Sequence, residues 1–432
     1  MTRMVTSLSA LILSTILLVA GNAFLMTLLG VRLGLEAIDP ATIGRVLVCY
    51  SIGFVVGTLT VGRVIERVGH IRAFAVFSAL AAVAALLYPM AVSMTFWAIL
   101  RALSGLAMAG VLLVIESWFS SRATNANRGT LFAVYQIVFF ISVAGGQLII
   151  NLGDPAAFQL YTVAGILLAL SLVPLSLTKM EAPHIEQVER LSIFKLLQEA
   201  TTGVAGTFIC GVLIGSFYAL GPVYATLIGL DVAQTSLFMA IAIIAAMLLA
   251  WPMGIVCDRF DRRRVLFTVS VAAGVAAMAA AFIGVDLPLA LITAVGLFTG
   301  LSAALYPIAV AIANDRMPQS RIVAASATLL LSYGLGSVLG PLVMGELIGL
   351  VGPMGLFLGS AGFLGLLALV TAYYIITTED IPVDEQEHFV TTMPEAMPVL
   401  AEMDPRNEDF HASSVEVEQE EEEPPKKTGT DN

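Results

Sequence analysis

Residues able to do chemistry are sparse inside the long apolar stretches of this chain. Each is a candidate for function, because an ionisable group is costly to hold in hydrocarbon. Arg101 opens the run RALSGLAMAG. A guanidinium there could bind an anionic group or modulate a proton-carrying carboxylate. It could equally snorkel to a nearby interface on its apolar stem. Glu116 lies fifteen residues further on, about 22 Å along a helix at about 1.5 Å per residue, so the two cannot pair. Asp315 ends a later apolar stretch, and Arg45 and Glu346 read as interface anchors. The histidines, His70, His184, His388 and His411, all read as loop or tail residues, which argues against a histidine proton relay. The cysteines, Cys49, Cys210 and Cys257, sit in apolar stretches with no CxxC spacing and read as small buried residues, not metal ligands. No metal site and no cofactor is expected. No GxxxxGK[ST] occurs, nor any HExxH or paired catalytic carboxylates in a span, which disfavours ATP-driven pumping and an intramembrane enzyme.

The elements that must position these groups follow from composition. Of 432 residues, 58% are hydrophobic and only 12% charged, against about 25% charged in a soluble domain. Mean hydropathy is +0.92. Apolar stretches recur near 7–30, 41–62, 73–92, 95–119, 130–152 and 156–178, then near 203–228, 233–257, 265–285, 287–313, 322–349 and 353–377. Runs of this length without period-2 alternation predict helices, since only helices or closed barrels satisfy their backbone in lipid. The first run is read as a retained span, not a signal peptide. The expected fold is therefore an all-α membrane protein of twelve transmembrane helices.

Arginine and lysine alternate between the breaks. Arg63, Arg67 and Arg72, then Arg122 and Arg128, then Lys179, Arg190 and Lys195 fall on one side, as do Arg259, Arg262, Arg263 and Arg264, then Arg316 and Arg321. The opposite breaks are poor in both, so the Arg-rich side reads as cytoplasmic, and the even span count puts both termini there. The expected domains are a six-helix bundle over residues 1–178, a central cytoplasmic loop over 179–202, a second bundle over 203–377 and a disordered tail over 378–432. Ile193, Phe194, Leu196 and Leu197 suggest a short amphipathic helix in the central loop. The tail holds 17 of the 32 acidic and 3 of the 21 basic residues, a net −14, which leaves the body at +3. That composition cannot offset chain entropy by burial, and a partner-docking role is open to it.

An internal repeat runs through the two bundles. GRVIERVGHIR (62–72) and GIVCDRFDRRR (254–264) align Gly62, Glu66, Arg67 and Arg72 with Gly254, Asp258, Arg259 and Arg264 at an offset of 192. Arg128 and Arg321 repeat at an offset of 193. Two six-helix halves related by an axis along the membrane normal are implied. Gly-x-x-x-Asp/Glu-Arg-x-Gly-x-x-Arg between the second and third spans resembles the signature loop of the major facilitator superfamily, matched here by Gly62, Glu66, Arg67, Gly69 and Arg72. In the second copy Asp261 stands where the second glycine should be, which reads as decay. The resemblance covers about residues 5–377. With IESW (115–118) and IAND (312–315), the chain is similar to the YcaD-like bacterial branch, near the drug:proton antiporters.

That resemblance implies a multi-pass transporter of the cell (inner) membrane, monomeric, without nucleic-acid partners. It would move a small organic solute by alternating access, coupled to protons. It also implies a cytoplasmic gate built from the two loop copies. Gly62 would let helices approach closely and Gly69 would allow a tight turn. Glu116 would pair with Arg72 or Arg67, and Asp315 with Arg264. In the superfamily, spans one, four, seven and ten line the cavity, which implies Asn22, Arg101, Ser104, Met108, Tyr218 and Tyr306. Gln136 and Tyr333 join them as polar groups within spans five and eleven. Arg101 with Gly105 matches an Arg-x-x-x-Gly of superfamily antiporters. Their glycine-proline run is missing from span five, where AGGQL (144–148) stands, while span eleven carries GLGSVLGP (334–341). The competing reading is a non-transporting sensor or scaffold on the same fold.

Overall fold

With no water to hydrogen-bond in hydrocarbon, each apolar stretch closes its backbone on itself, and all twelve do so as helices long and apolar enough to cross a membrane. The computed structural model describes residues 2–123, 127–178, 192–318 and 321–378, with Pro382, Gln386 and Phe389. Among these, no strand occurs. The first half comprises α1 (Thr2–Leu35), α2 (Pro40–Val68), α3 (His70–Leu87), α4 (Met94–Ser120), α5 (Arg128–Leu148), and α6 (Phe158–Leu170) continued by α7 (Leu172–Ser176). A short α8 (Ile193–Glu199) precedes the second half. That half comprises α9 (Thr201–Leu227), α10 (Val232–Cys257), α11 (Arg262–Phe282), α12 (Pro288–Asn314), α13 (Ile322–Val351) and α14 (Gly355–Thr377). The short helix expected in the central loop is α8, with Leu196 buried. Residues 179–191 of that loop, and nearly all of the tail read as disordered, lie outside the described residues.

The signature break is far more helical than its sequence suggests. α2 runs through to Val68 and α3 starts at His70, with Gly69 alone between them at φ +83°. Only glycine takes that left-handed backbone at no steric cost. His70 is thereby drawn into the bundle. The expectation of a loop histidine is wrong, because a one-residue turn leaves no loop for it, and its ring packs against Trp118 at 5.7 Å between centroids. Gly62, expected at a close helix approach, has nothing within 4 Å of where a Cβ would stand. The second copy solves the same turn differently. Asp261 caps α11, its carboxylate accepting the Arg264 backbone N–H at 2.9 Å. Asp261 is therefore a working N-cap and not a decayed glycine.

Close backbone contact occurs elsewhere. A Cβ on Gly53 would overlap the Ala102 carbonyl, and one on Gly105 the Tyr50 carbonyl, so α2 and α4 touch backbone to backbone. Gly211 and Gly336 do the same for α9 and α13 against Tyr333 and Phe208. Small residues at such crossings exchange side-chain volume for dispersion contact between helices. The two halves meet along α1–α9, α2–α13 and α5–α10.

Candidate functional site: a mid-membrane cavity between two halves

A cavity of about 120 Å³ lies where the halves face each other. Its polar lining comes from Asn22 and Thr27 of α1, Tyr50 and Ser51 of α2, Gln147 of α5, Tyr218 of α9, and Tyr333 and Ser337 of α13. Met26, Met108, Met239, Phe54 and Phe139 supply much of the apolar wall. Among the described residues lining it there is no Asp, Glu, Lys, Arg or His. The Asn22 amide donates to the Tyr50 hydroxyl at 3.2 Å. The Thr27 hydroxyl donates to the Gln147 side-chain oxygen Oε1, and the Gln147 side-chain Nε2 donates to the Val143 main-chain carbonyl at 3.2 Å. These bonds fix the donors and acceptors presented to the cavity.

Of the cavity residues expected from sequence, Asn22, Met108, Tyr218 and Tyr333 line it. Tyr306 stands behind Tyr333, ring centroids 5.5 Å apart and nearly perpendicular. Ser104 is buried, and its hydroxyl donates to the Leu100 carbonyl of its own helix at 2.8 Å. Gln136 is half-buried on α5, outside the cavity wall. Arg101 is 1% exposed, so it does not snorkel. Its guanidinium lies over the Tyr50 ring at 4.5 Å, and its Nε and one terminal nitrogen have no hydrogen-bond partner among the described residues. It therefore backs the cavity through Tyr50. Tyr50 and Thr27 also line the cavity, and the sequence does not single them out. Their types are common in packed spans, and only the neighbouring helices reveal which face meets the opposite half.

The charged groups expected at the gate occupy the Arg-rich ends. Glu66, Arg67 and Arg72 are exposed there, as are Asp258 and Arg259. Glu116 is fully buried, and its carboxylate accepts a 2.6 Å hydrogen bond from the Tyr135 hydroxyl. Asp315 pairs with Arg262, where Arg264 was expected. The reason is the turn: Arg262 is the first residue of α11 and faces the end of α12, whereas Arg264 lies two residues further round. The pair is 2% and 5% exposed and joins two helices of one half. Arg263 is buried too, donating to the Tyr374 and Thr378 carbonyls at 3.0 and 3.3 Å, where it completes the end of α14.

Two polar contacts cross between halves at the opposite, Arg-poor end. Arg45 of α2 reaches Glu346 of α13 at 3.6 Å, which reassigns two residues expected to be separate anchors. Asn151 donates to Ser236 at 2.9 Å beside the α5–α10 contact. Backbones also close there: a Cβ on Gly44 would overlap the Pro341 carbonyl, and Gly345 lies against Pro40.

The family model of the Major Facilitator Superfamily matches residues 4–251 and 203–390. The chain belongs to this superfamily. It is 31% identical over 332 residues to an uncharacterized MFS-type transporter, YcaD, of Escherichia coli O6:K15:H31, covering 76% of this chain and 85% of that protein. Among solved structures it is similar to the nucleoside transporter NupG, with a TM-score of 0.72 at 17% identity, covering 88% of this chain and all of that one. A bacterial homolog of the human lysosomal transporter Spinster, inward-facing and occupied, gives 0.71 at 14% identity, over 88% and 97% of the two chains. The protein is thus a multi-pass membrane transporter of the major facilitator fold, and not an enzyme.

Proposed function

We propose that the chain is a secondary active transporter carrying a small, weakly polar or amphipathic organic solute through this cavity by alternating access, coupled to protons. The observation that carries the reading is the cavity itself. It lies between two repeat-related halves and is lined by polar groups from both, the arrangement in which rocking exposes one site to either side in turn. The uncharged lining supports a neutral solute, because a charged one would find no counter-charge on the wall. Glu116, a fully buried carboxyl group, is the candidate proton carrier. Arginine at one set of helix ends supports a cell (inner) membrane orientation with those ends and both termini cytoplasmic. The molecule works as a monomer in the bilayer, each polypeptide supplying both halves.

Binding stabilises a folded protein, so a thermal-shift screen of uncharged organic solutes on purified protein identifies ligands. Those ligands are then followed into proteoliposomes under a pH gradient. Uptake or efflux driven by that gradient supports the reading. Ligands that bind but never cross, alongside a partner captured by residues 378–432, would make the chain a sensor. For the gate, Glu66→Gln and Arg72→Ala are expected to slow flux with little change in solute binding. Wild-type turnover in both would remove the signature loop from the mechanism.

A further inference from the structure

The two copies of the signature loop are not treated alike by the rest of the chain. Gly62 faces open space, whereas the matching face of Gly254 is covered: a Cβ there would stand 3.3 Å from the Phe389 ring. Phe389 packs against the hydrophobic core, and its backbone N–H donates to the Asp258 carboxylate at 2.8 Å. Asp258 is the acidic residue of the second loop copy. Gln386 borders the same small cleft as Arg262, Asp315 and Arg316. Arg263 holds the Tyr374 and Thr378 carbonyls where α14 ends. From Thr378 to Phe389, each described contact is made with the Arg-rich end of the second half.

We propose that Gln386 and Phe389, docked on the Gly254–Arg264 loop, act as an intramolecular latch, which holds the Arg-rich end of the molecule apart. The direction follows from where the latch sits. Gly254 and Asp258 lie at the Arg-rich end of α10, a helix of the seam with the first half. Closing that end brings the first half against the surface that Phe389 occupies, so the ring must leave or act as a wedge. Charge favours docking, because the tail carries a net −14 and this end presents Arg259 and Arg264 exposed, with Arg316 half-buried beside them. The proposal rests on the rocking-halves reading above.

The test uses the full chain in lipid nanodiscs, beside Phe389→Asp, which sets a like charge against Asp258, and a chain ending at Thr378. Hydrogen exchange is followed at the amides between Gly254 and Val265. Both variants are expected to exchange there about tenfold faster than the full chain, with the Arg-poor ends unchanged. Spin labels at the exposed positions Arg63 and Phe260, one in each half, report the separation of the Arg-rich ends. Loss of the latch is expected to shift that distribution to shorter distances. Unchanged exchange in both variants would overturn docking. Faster exchange with unchanged or longer distances would overturn the latch while leaving a docked tail. Neither readout requires solute flux, so the latch and the transport reading can fail separately.

Discussion

At the scale of single residues, Arg101 is the clearest case of function set against stability. A buried charge without a counter-ion is costly, and apolar replacement of buried ionic groups often stabilises a fold by about 1–4 kcal/mol. The stack over Tyr50 offsets part of that, at about 0.5–2 kcal/mol. Arg101→Met should therefore raise the unfolding temperature in detergent while solute binding falls, since Tyr50 loses the cation that seats its ring. A less stable Arg101→Met protein would show that the guanidinium is structural. Sequence spacing placed Arg101 near the end of its span, but could not tell a buried arginine from a snorkelling one, because the stem can turn either way. His70 and Asp261 show a related limit. Whether a residue beside a break is loop, core or cap depends on how tightly the chain turns, and one glycine or one carboxylate decides that.

At the scale of elements, twelve spans, their apolar character and the repeat were legible because each is written along one helix or between two copies of a motif. Faces were not legible. The glycines of α2 and α4 show why: Gly62 belongs to the recognisable motif yet leaves open space where a Cβ would stand, while Gly53 and Gly105 bring backbones together. Gly105→Leu should destabilise the fold by about 1–3 kcal/mol or more through overpacking, whereas Gly62→Leu should stay within about 0.5 kcal/mol. Thermal unfolding of both variants in one detergent checks the contrast, and equal losses would contradict that packing. The cavity divides in the same way. Asn22 and Tyr218 were readable as polar residues on cavity-forming spans, whereas Tyr50 lies on a span that the resemblance does not assign to the cavity.

At the scale of the whole molecule, Arg45–Glu346 is an ion pair that bridges the halves, at the end opposite the signature loops. Both side chains are more than half exposed, and such pairs contribute no more than about 1 kcal/mol. That is still enough to shift a balanced two-state equilibrium by about fivefold. Glu346→Arg, which sets like charges together, should populate a state with the Arg-poor ends apart, and the double variant Arg45→Glu/Glu346→Arg should restore the balance. Spin-label distances across α2 and α13 measure this. A distribution unmoved by the single variant would leave the pair incidental to the conformational cycle.

The two main seams between halves also differ in kind. Along α2–α13, Gly44 and Gly345 bring main chain against main chain at Pro341 and Pro40, a contact that can pivot but has no side chain to give way. Along α5–α10, the Asn151–Ser236 contact is a single hydrogen bond between side chains, which can break without parting main chain from main chain. The molecule is hung like a door with a fixed jamb and a latch side. Its Arg-poor mouth should open off-centre, on the α5–α10 side.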